Sequence, residues 1–474
     1  MPSGSRRTFL KNAAFSSLAL GLGNTLSLQA GSRPDFISKR PPVKDRKFIS
    51  PAIEQLLVQT KARIRNPELA WMFDNCFPNT LDTTVTYHKA GAQPDTFIIT
   101  GDIPQMWLRD STAQVFPYLK PAKQDPALQT LIAGLIHRQA SNVLLDPYAN
   151  AFLLTTSEES EHKTDETDMK PGVFERKWEV DSLCYTIRLS YHFWKETGNT
   201  APFDDNWKQA MRLIVKTFQE QQRKNGAGPY SFKRKTSYSP DTAQGDGTGK
   251  PVRPVGLIAS AFRPSDDGTI FPFLVPSNFF AVTTLRQLAE MSVALHNDTG
   301  FAAACTALAD EVSAALQQHA IVTHPVFGKL YAYEVDGFGS TLLMDDANIP
   351  SLISLPYIAG IPLQDEIYQN TRRFCLSNYN PYYAEGVYKG VGGPHTGREM
   401  IWPLTYIVQA LTTADNNEKR SCLELLLKTH AGTGFIHESF YKNDPKKFTR
   451  SWFAWANTLF GELVLESATA GLLK

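Results

Sequence analysis

The 474-residue chain has no excess of charge: 48 Lys and Arg face 47 Asp and Glu, a formal net of +1. That balance offers no basic face to a nucleic acid or to an anionic membrane, so neither partner is expected. Cysteine is scarce too. The five thiols, Cys76, Cys184, Cys305, Cys375 and Cys422, form no CxxC pair and no Cys/His cluster. Metal and haem motifs that depend on such spacing are absent, and an odd count leaves at least one thiol outside any disulfide. Buried single thiols are the plain expectation. There is no GxGxxG, no P-loop and no sustained strand–helix alternation, which argues against a nucleotide-binding α/β fold. The apolar run from Ala13 to Leu22 is too short, and too rich in Gly and Ser, to span a bilayer.

What is present begins with that same N-terminus. Ser5-Arg6-Arg7-Thr8-Phe9-Leu10-Lys11 followed by a modest apolar run is a twin-arginine pattern. It predicts a signal peptide over residues 1–30, cut near Ala30, although Leu28 is a poor small residue for such a site. A folded protein exported to the periplasm is the expectation, with no stable membrane insertion afterwards. Residues 31–50, Pro-rich and basic, read as a linker or a draped arm. Hydrophobic residues make up 42% of the chain, enough for a sizeable core. Eight Trp and 17 Tyr suit sugar stacking and core packing alike.

From residue 51 to 474 the pattern predicts one mainly helical domain. Apolar residues recur at three and four spacing over 53–62, 110–120, 127–145, 180–195, 206–222, 278–295 and 301–320. The same holds for 345–358, 364–376, 398–412, 420–430 and 454–468. Residues 83–87 and 96–100 alternate as a hairpin, and 330–335 alternates weakly. About twelve helices separated by long polar loops suggest a toroid of helix pairs, with the loops gathered at one mouth.

Five polar–aromatic stretches compete for a site. In Gly101-Asp102-Ile103-Pro104-Gln105-Met106-Trp107-Leu108-Arg109-Asp110-Ser111, Pro104 argues against a helix interior and Asp110-Ser111 reads as an N-cap. Trp107 offers a flat apolar face, and Asp102, Arg109 and Asp110 offer acceptors and donors, a mixture that suits a sugar; an Arg–Asp pair pinning a helix start is the plainer alternative. Glu179 and Asp181 flank a helix start, where carboxylates favour the dipole whatever their function. Arg263-Pro264-Ser265-Asp266-Asp267-Gly268 sets adjacent carboxylates beside an Arg and an apolar stretch. That suits a general acid with a raised pKa, or a plain turn. Gly390 to Trp402 carries a glycine run, His395 and Trp402. Glu438, in His437-Glu438-Ser439-Phe440, reads either as a salt-bridge partner of Arg450 or as a second catalytic carboxylate. Two separated carboxylates with Trp platforms and no metal cluster point to glycoside hydrolysis.

Together these stretches resemble glycoside hydrolase family 125, the exo-α-1,6-mannosidases. The matching blocks are GDIPQMWLRDSTAQVFPYL, WEVDSLCY, FRPSDDGTIFPFLVPSN, GVGGPHTGREMIWP, HESF and FTRSWFAWANTLFGEL, spread from about residue 50 to the C-terminus. The resemblance implies an (α/α)6 barrel with short β-hairpins in its loops, and metal-independent, cofactor-free hydrolysis of α-mannosides with inversion. It implies a general acid at Asp266 or Asp267, with Asp266 preferred, and a general base at Glu438. It also implies that Asp102, Arg109 and Asp110 grip the terminal mannose, helped by Trp107, Arg263, His395 and Trp402. Phe271 to Phe273 is more apolar than the family pattern, which leaves preference beyond the first sugar open. A glucoamylase-like exo-glycosidase with Glu179 as acid, a non-catalytic carbohydrate-binding protein and a cofactor-bearing redox protein are the alternatives.

Overall fold

The computed structural model describes residues 36–88 and 93–474; the twin-arginine segment lies outside them. Twelve helices alternate between an outer and an inner ring. The outer ones are α1 (Pro67–Cys76), α3 (Pro126–Leu145), α5 (Asp205–Gln221), α7 (Thr299–His319), α9 (Glu366–Cys375) and α11 (Asn416–Thr429). The inner ones are α2 (Leu108–Val115), α4 (Val180–Thr197), α6 (Val275–His296), α8 (Leu355–Ala359), α10 (Pro403–Leu411) and α12 (Ala454–Thr469). Along the inner ring α12 packs on α2, α2 on α4, α4 on α6 and α6 on α8, while α10 returns to α12. This is the (α/α)6 toroid.

The two rings start their helices differently. Every outer helix has an Asn or Asp N-cap whose side chain accepts backbone N–H groups: Asn66, Asp125, Asp204, Asp298, Asp365 and Asp415. No inner helix has a side-chain cap; Trp107, Glu179, Leu274, Ser354, Trp402 and Phe453 stand at those positions. Outer helices are amphipathic in the ordinary way. In α5, Trp207, Ala210, Met211, Ile214, Val215 and Phe218 are buried at helical spacing. Inner helices are buried nearly all round, as in α2, whose eight residues are all buried.

Short three-stranded antiparallel sheets anchor alternate inner helices. Met106–Trp107 runs into α2 and pairs with Ala151–Phe152, which pairs with Val173–Glu175. Phe273–Leu274 leads into α6 and Met400–Ile401 immediately precedes Trp402 and α10, each within a sheet of the same kind. The expected hairpin is present as Val85–His88 against Asp95–Ile98. The arm from residue 36 lies against the barrel: Trp71 Nε1 donates to the Ile37 carbonyl at 2.6 Å, and the buried Arg40 guanidinium bridges Glu54 and Asp82.

Three helix expectations need correction. Asp110-Ser111 is not an N-cap; α2 begins at Leu108, so Arg109 and Asp110 lie in its first turn, and Pro117 interrupts the expected run into a 3-10 turn. Residues 345–354 are loop, because the Asp345 carboxylate accepts the N–H groups of Leu352 (2.8 Å) and Ile353 (3.1 Å) and holds the chain out of a helix. Residues 398–402 are not helical either, since α10 starts at Pro403, which suits a first position. Helix α1 and the short helix Asn79–Thr83 fell outside the periodic stretches.

Candidate active site

Three of the uncapped inner-ring starts, those of α2, α10 and α12, open onto one pocket. Trp107, Arg109 and Asp110 come from the start of α2, Trp402 from α10, and Phe453 and Trp455 from α12. Loops supply Asp266, Asn348, His395 and Glu438. Positive helix ends thus face a site rich in carboxylates, which the dipoles favour. A roomier groove lies between the C-terminal end of α5 and the middle of α7, but its lining of Lys224, Glu311, Ala304 and their neighbours includes no aromatic ring. Chemistry therefore singles out the pocket at the mouth.

Asp266 has φ +67°, a backbone conformation uncommon outside glycine and often found at functional sites. Its N–H donates to the Arg263 carbonyl at 2.9 Å, and its own carbonyl accepts from Lys177 Nζ at 2.9 Å. Its Oδ1 accepts from Arg109 Nη2 at 3.3 Å and from Asn150 Nδ2 at 3.4 Å. Asp267, although adjacent, does not line the pocket. It is buried, with Oδ1 3.4 Å from His395 Nδ1, and Oδ2 has no hydrogen-bond partner.

Behind Asp266 lies a buried ionic network. Arg109 Nη1 donates to Glu179 at 2.5 Å and to Asp181 at 3.3 Å, and its Nε lies 3.7 Å from Asp110. Burial works against the Arg109 charge, but Glu179, Asp181, Asp110 and Asp266 outweigh it and hold its pKa well above the usual value. Burial pushes Glu179 well up despite Arg109, and pushes Asp181 up to about 6. Lys177 is held above its ordinary value because Glu175 outweighs the cost of burial. Burial opposes the Glu175 charge as well, yet Lys177 and Arg234 bring its pKa down to about 2.

Glu438 sits in the pocket wall, where Thr449 Oγ1 donates to its Oε2 at 2.9 Å and Arg450 Nε lies 3.6 Å from Oε1. Trp402 is fixed by an Nε1–H donated to Thr396 Oγ1 at 2.8 Å. Its segment approaches so closely that a Cβ on Gly392 would lie 2.0 Å from the Met400 carbonyl oxygen.

Of the residues singled out by sequence, Trp107, Arg109, Asp110, Asp266, His395, Trp402 and Glu438 meet in the pocket. Asp102, Arg263 and Asp267 do not line it. Asp102 is exposed beside Arg450, 3.3 Å from Nη1. Arg263 is buried and its Nε donates to Glu334 at 2.6 Å, while Glu334 Oε2 accepts the N–H groups of Ile270 and Phe271. Arg263 thereby braces the Asp266 loop. Sequence reasoning missed Asn348 and Thr100 in the lining and Asn150 on Asp266, neutral residues in loops with no local motif.

The sequence profile described as metal-independent alpha-mannosidase (GH125) matches residues 66–465. A solved structure of a metal-independent alpha mannosidase from Streptococcus pneumoniae, in a non-productive complex with alpha-1,6-mannobiose, is 42% identical. The match covers 89% of this chain and 99% of that one, with a TM-score of 0.86. The meiotically up-regulated gene 157 protein of Schizosaccharomyces pombe is 43% identical over 450 residues, covering 90% of this chain and 88% of the relative. With the profile spanning most of the chain and both relatives matched nearly end to end, the chain belongs to the metal-independent α-mannosidases of glycoside hydrolase family 125.

Proposed function

We propose that the protein removes non-reducing terminal α-1,6-linked mannose, one residue at a time, with inversion at the anomeric carbon. The observation that carries this is that Asp266 and Glu438 are the loop carboxylates of one pocket walled by Trp107, Trp402 and Trp455. Asp266 protonates the departing glycosidic oxygen. Glu438 takes a proton from the water that attacks the opposite face of the sugar, so the C1–O bond to the leaving group breaks as the bond to water forms. An inverting pair needs room for that water, about 6.5–9.5 Å between carboxyl groups. Arg109 and Asp110 hold hydroxyls of the terminal mannose, and the indoles cover its apolar face. The α-1,6-mannobiose held by the Streptococcus pneumoniae relative supports the linkage.

The test is to incubate the protein with α-1,2-, α-1,3- and α-1,6-mannobiose and follow the anomer first released by proton NMR. Early β-mannose from the α-1,6 disaccharide alone is expected. Early α-mannose would make the enzyme retaining, and turnover of maltose instead would favour the glucoamylase-like alternative. Tight binding without product would leave a carbohydrate-binding protein.

We further propose export by the twin-arginine route, supported by Arg6-Arg7 and the apolar run after them. Replacing both with Lys in a bacterial host should leave the protein in the cytoplasm; unchanged export would refute the route.

A further inference from the structure

We propose that Glu179 and Asp181 are positioning residues that act through Arg109, serving as its counter-charge so that Asp266 keeps its proton into the neutral range. This rests on Asp266 being the general acid. Arg109 Nη2 reaches the Asp266 carboxyl at 3.3 Å. A guanidinium that close, left to itself, would hold the carboxyl ionised, the wrong state for a group that must deliver a proton.

Three other carboxylates share that cation. Glu179 takes Nη1 at 2.5 Å, Asp181 takes the same nitrogen at 3.3 Å, and Asp110 lies 3.7 Å from Nε. Glu179 directs one oxygen, Oε2, at both Arg109 and Ser182, while its buried Oε1 has no hydrogen-bond partner. Its placement thus serves the guanidinium and not a wider polar network. Burial raises the pKa of both Glu179 and Asp181, and the Arg109 charge and the helix dipole at the start of α4 oppose it in favour of their ionised forms.

The remaining charges around Asp266 are already matched. Lys177 donates to its carbonyl oxygen and lies 2.9 Å from Asp241 and 3.5 Å from Glu175. Glu175 shares Asn150 with Asp266 and is paired with Arg234 at 2.9 Å. On its own loop, Asp267 faces His395, and Arg263 is paired with Glu334. Glu438, in the same pocket, is paired with Arg450. Arg109, with its Nη2 on the Asp266 carboxyl, is thus a cation whose effect there depends on how many other carboxylates it serves.

The experiment compares Glu179→Gln, Asp181→Asn and Glu179→Asp with the wild type between pH 4 and 9. It uses two substrates: α-1,6-mannobiose, whose leaving group needs a proton, and 2,4-dinitrophenyl α-mannoside, whose leaving group does not. On mannobiose the alkaline limb of kcat/KM should move down by about one pH unit in the two amide variants. Glu179→Asp should recover much of the shift. On the dinitrophenyl substrate the profiles should keep the wild-type shape. Variants with an unmoved or upward-moved limb on mannobiose, or with the same loss on both substrates, would overturn the proposal. If one amide variant does not fold, by circular dichroism, the other decides. Asp266→Asn run alongside separates the two readings. Equal loss on both substrates would mean Asp266 is not the acid, whereas spared dinitrophenyl turnover with an unmoved limb in Glu179→Gln and Asp181→Asn would refute the counter-charge alone.

Discussion

The Nε of Arg450 lies 3.6 Å from Oε1 of Glu438, and Nη1 of the same guanidinium lies 3.3 Å from Asp102 at the rim. A base must be ionised to accept a proton from water, and a buried cation beside it favours that state. Arg450→Met should therefore raise the acidic limb of kcat/KM by about one pH unit, with a smaller effect for Arg450→Lys. Asp102→Asn, which leaves the Arg450–Glu438 pair intact, should leave that limb in place. A pH–rate series on mannobiose checks all three.

The two adjacent carboxylates of the acid loop should separate cleanly. Asp266→Asn and Glu438→Gln are each expected to lose about 10²–10⁴-fold in kcat, the usual range for a general acid or base. Asp267 meets His395 and lies outside the pocket lining, so Asp267→Asn should lose far less. Single-turnover hydrolysis of α-1,6-mannobiose by the three variants measures the difference. Equal losses for Asp266→Asn and Asp267→Asn would reverse or merge the roles.

How much of this was visible in the linear sequence depends on where each residue's partner lies. The helices α3, α5 and α7 were legible because apolar residues recur along each at three and four spacing; the Asp125, Asp204 and Asp298 caps that start them went unread. Trp107, Arg109, Asp110, Trp402 and Glu438 stood out because aromatic and charged types crowd together in short blocks. Arg263 is placed differently. It sits in such a block, yet its carboxylate partner Glu334 is 71 residues away, so the pairing that buries it outside the pocket lining had no local signal. Asn348 and Asn150 carry no local signal, since only the barrel closure brings them to the mouth. The loop at 345–354 had helical apolar spacing, but the two N–H groups held by Asp345 override it.

Close packing between the last helix of the barrel and the end of the first yields a stability prediction. A Cβ on Gly461, in the middle of α12, would lie 2.3 Å from Phe77 Cδ2 and 2.9 Å from its Cβ. Phe77 is fully buried, stacked on Phe73 at 5.3 Å and edge-on to Tyr118, so its ring has nowhere to go. Alanine gains about 1 kcal/mol of helix propensity over glycine, while overpacking a rigid core costs about 1–3 kcal/mol. Overpacking should win at a contact this short. Gly461→Ala is expected to unfold at a lower temperature by calorimetry, with the kcat of the folded fraction unchanged, because the residue lies away from the pocket lining.

Next to Gly461 in the middle of α12, Glu462 gives the protein a pH-dependent stability of definite sign. Tyr357 Oη donates to its Oε2 at 2.8 Å, and burial pushes its pKa up to about 7 from an ordinary 4.5. The folded state therefore holds a proton that the unfolded chain has already lost over that window. The stabilisation is full below pH 4.5, is lost as the pH rises through 7, and is constant above it. Gln keeps an acceptor for Tyr357 but cannot ionise. Relative to wild type, Glu462→Gln should gain on the order of 1–2 kcal/mol between pH 5 and pH 8, allowing for the partial exposure of the side chain. Asp181 and Asp345 are also raised, to about 6 and about 7, and bend the wild-type curve in the same direction. They are common to both proteins, so the difference between the two urea-unfolding series isolates Glu462. A difference that is flat with pH, or that falls towards pH 8, would show that the carboxyl ionises in the fold no later than in the unfolded chain.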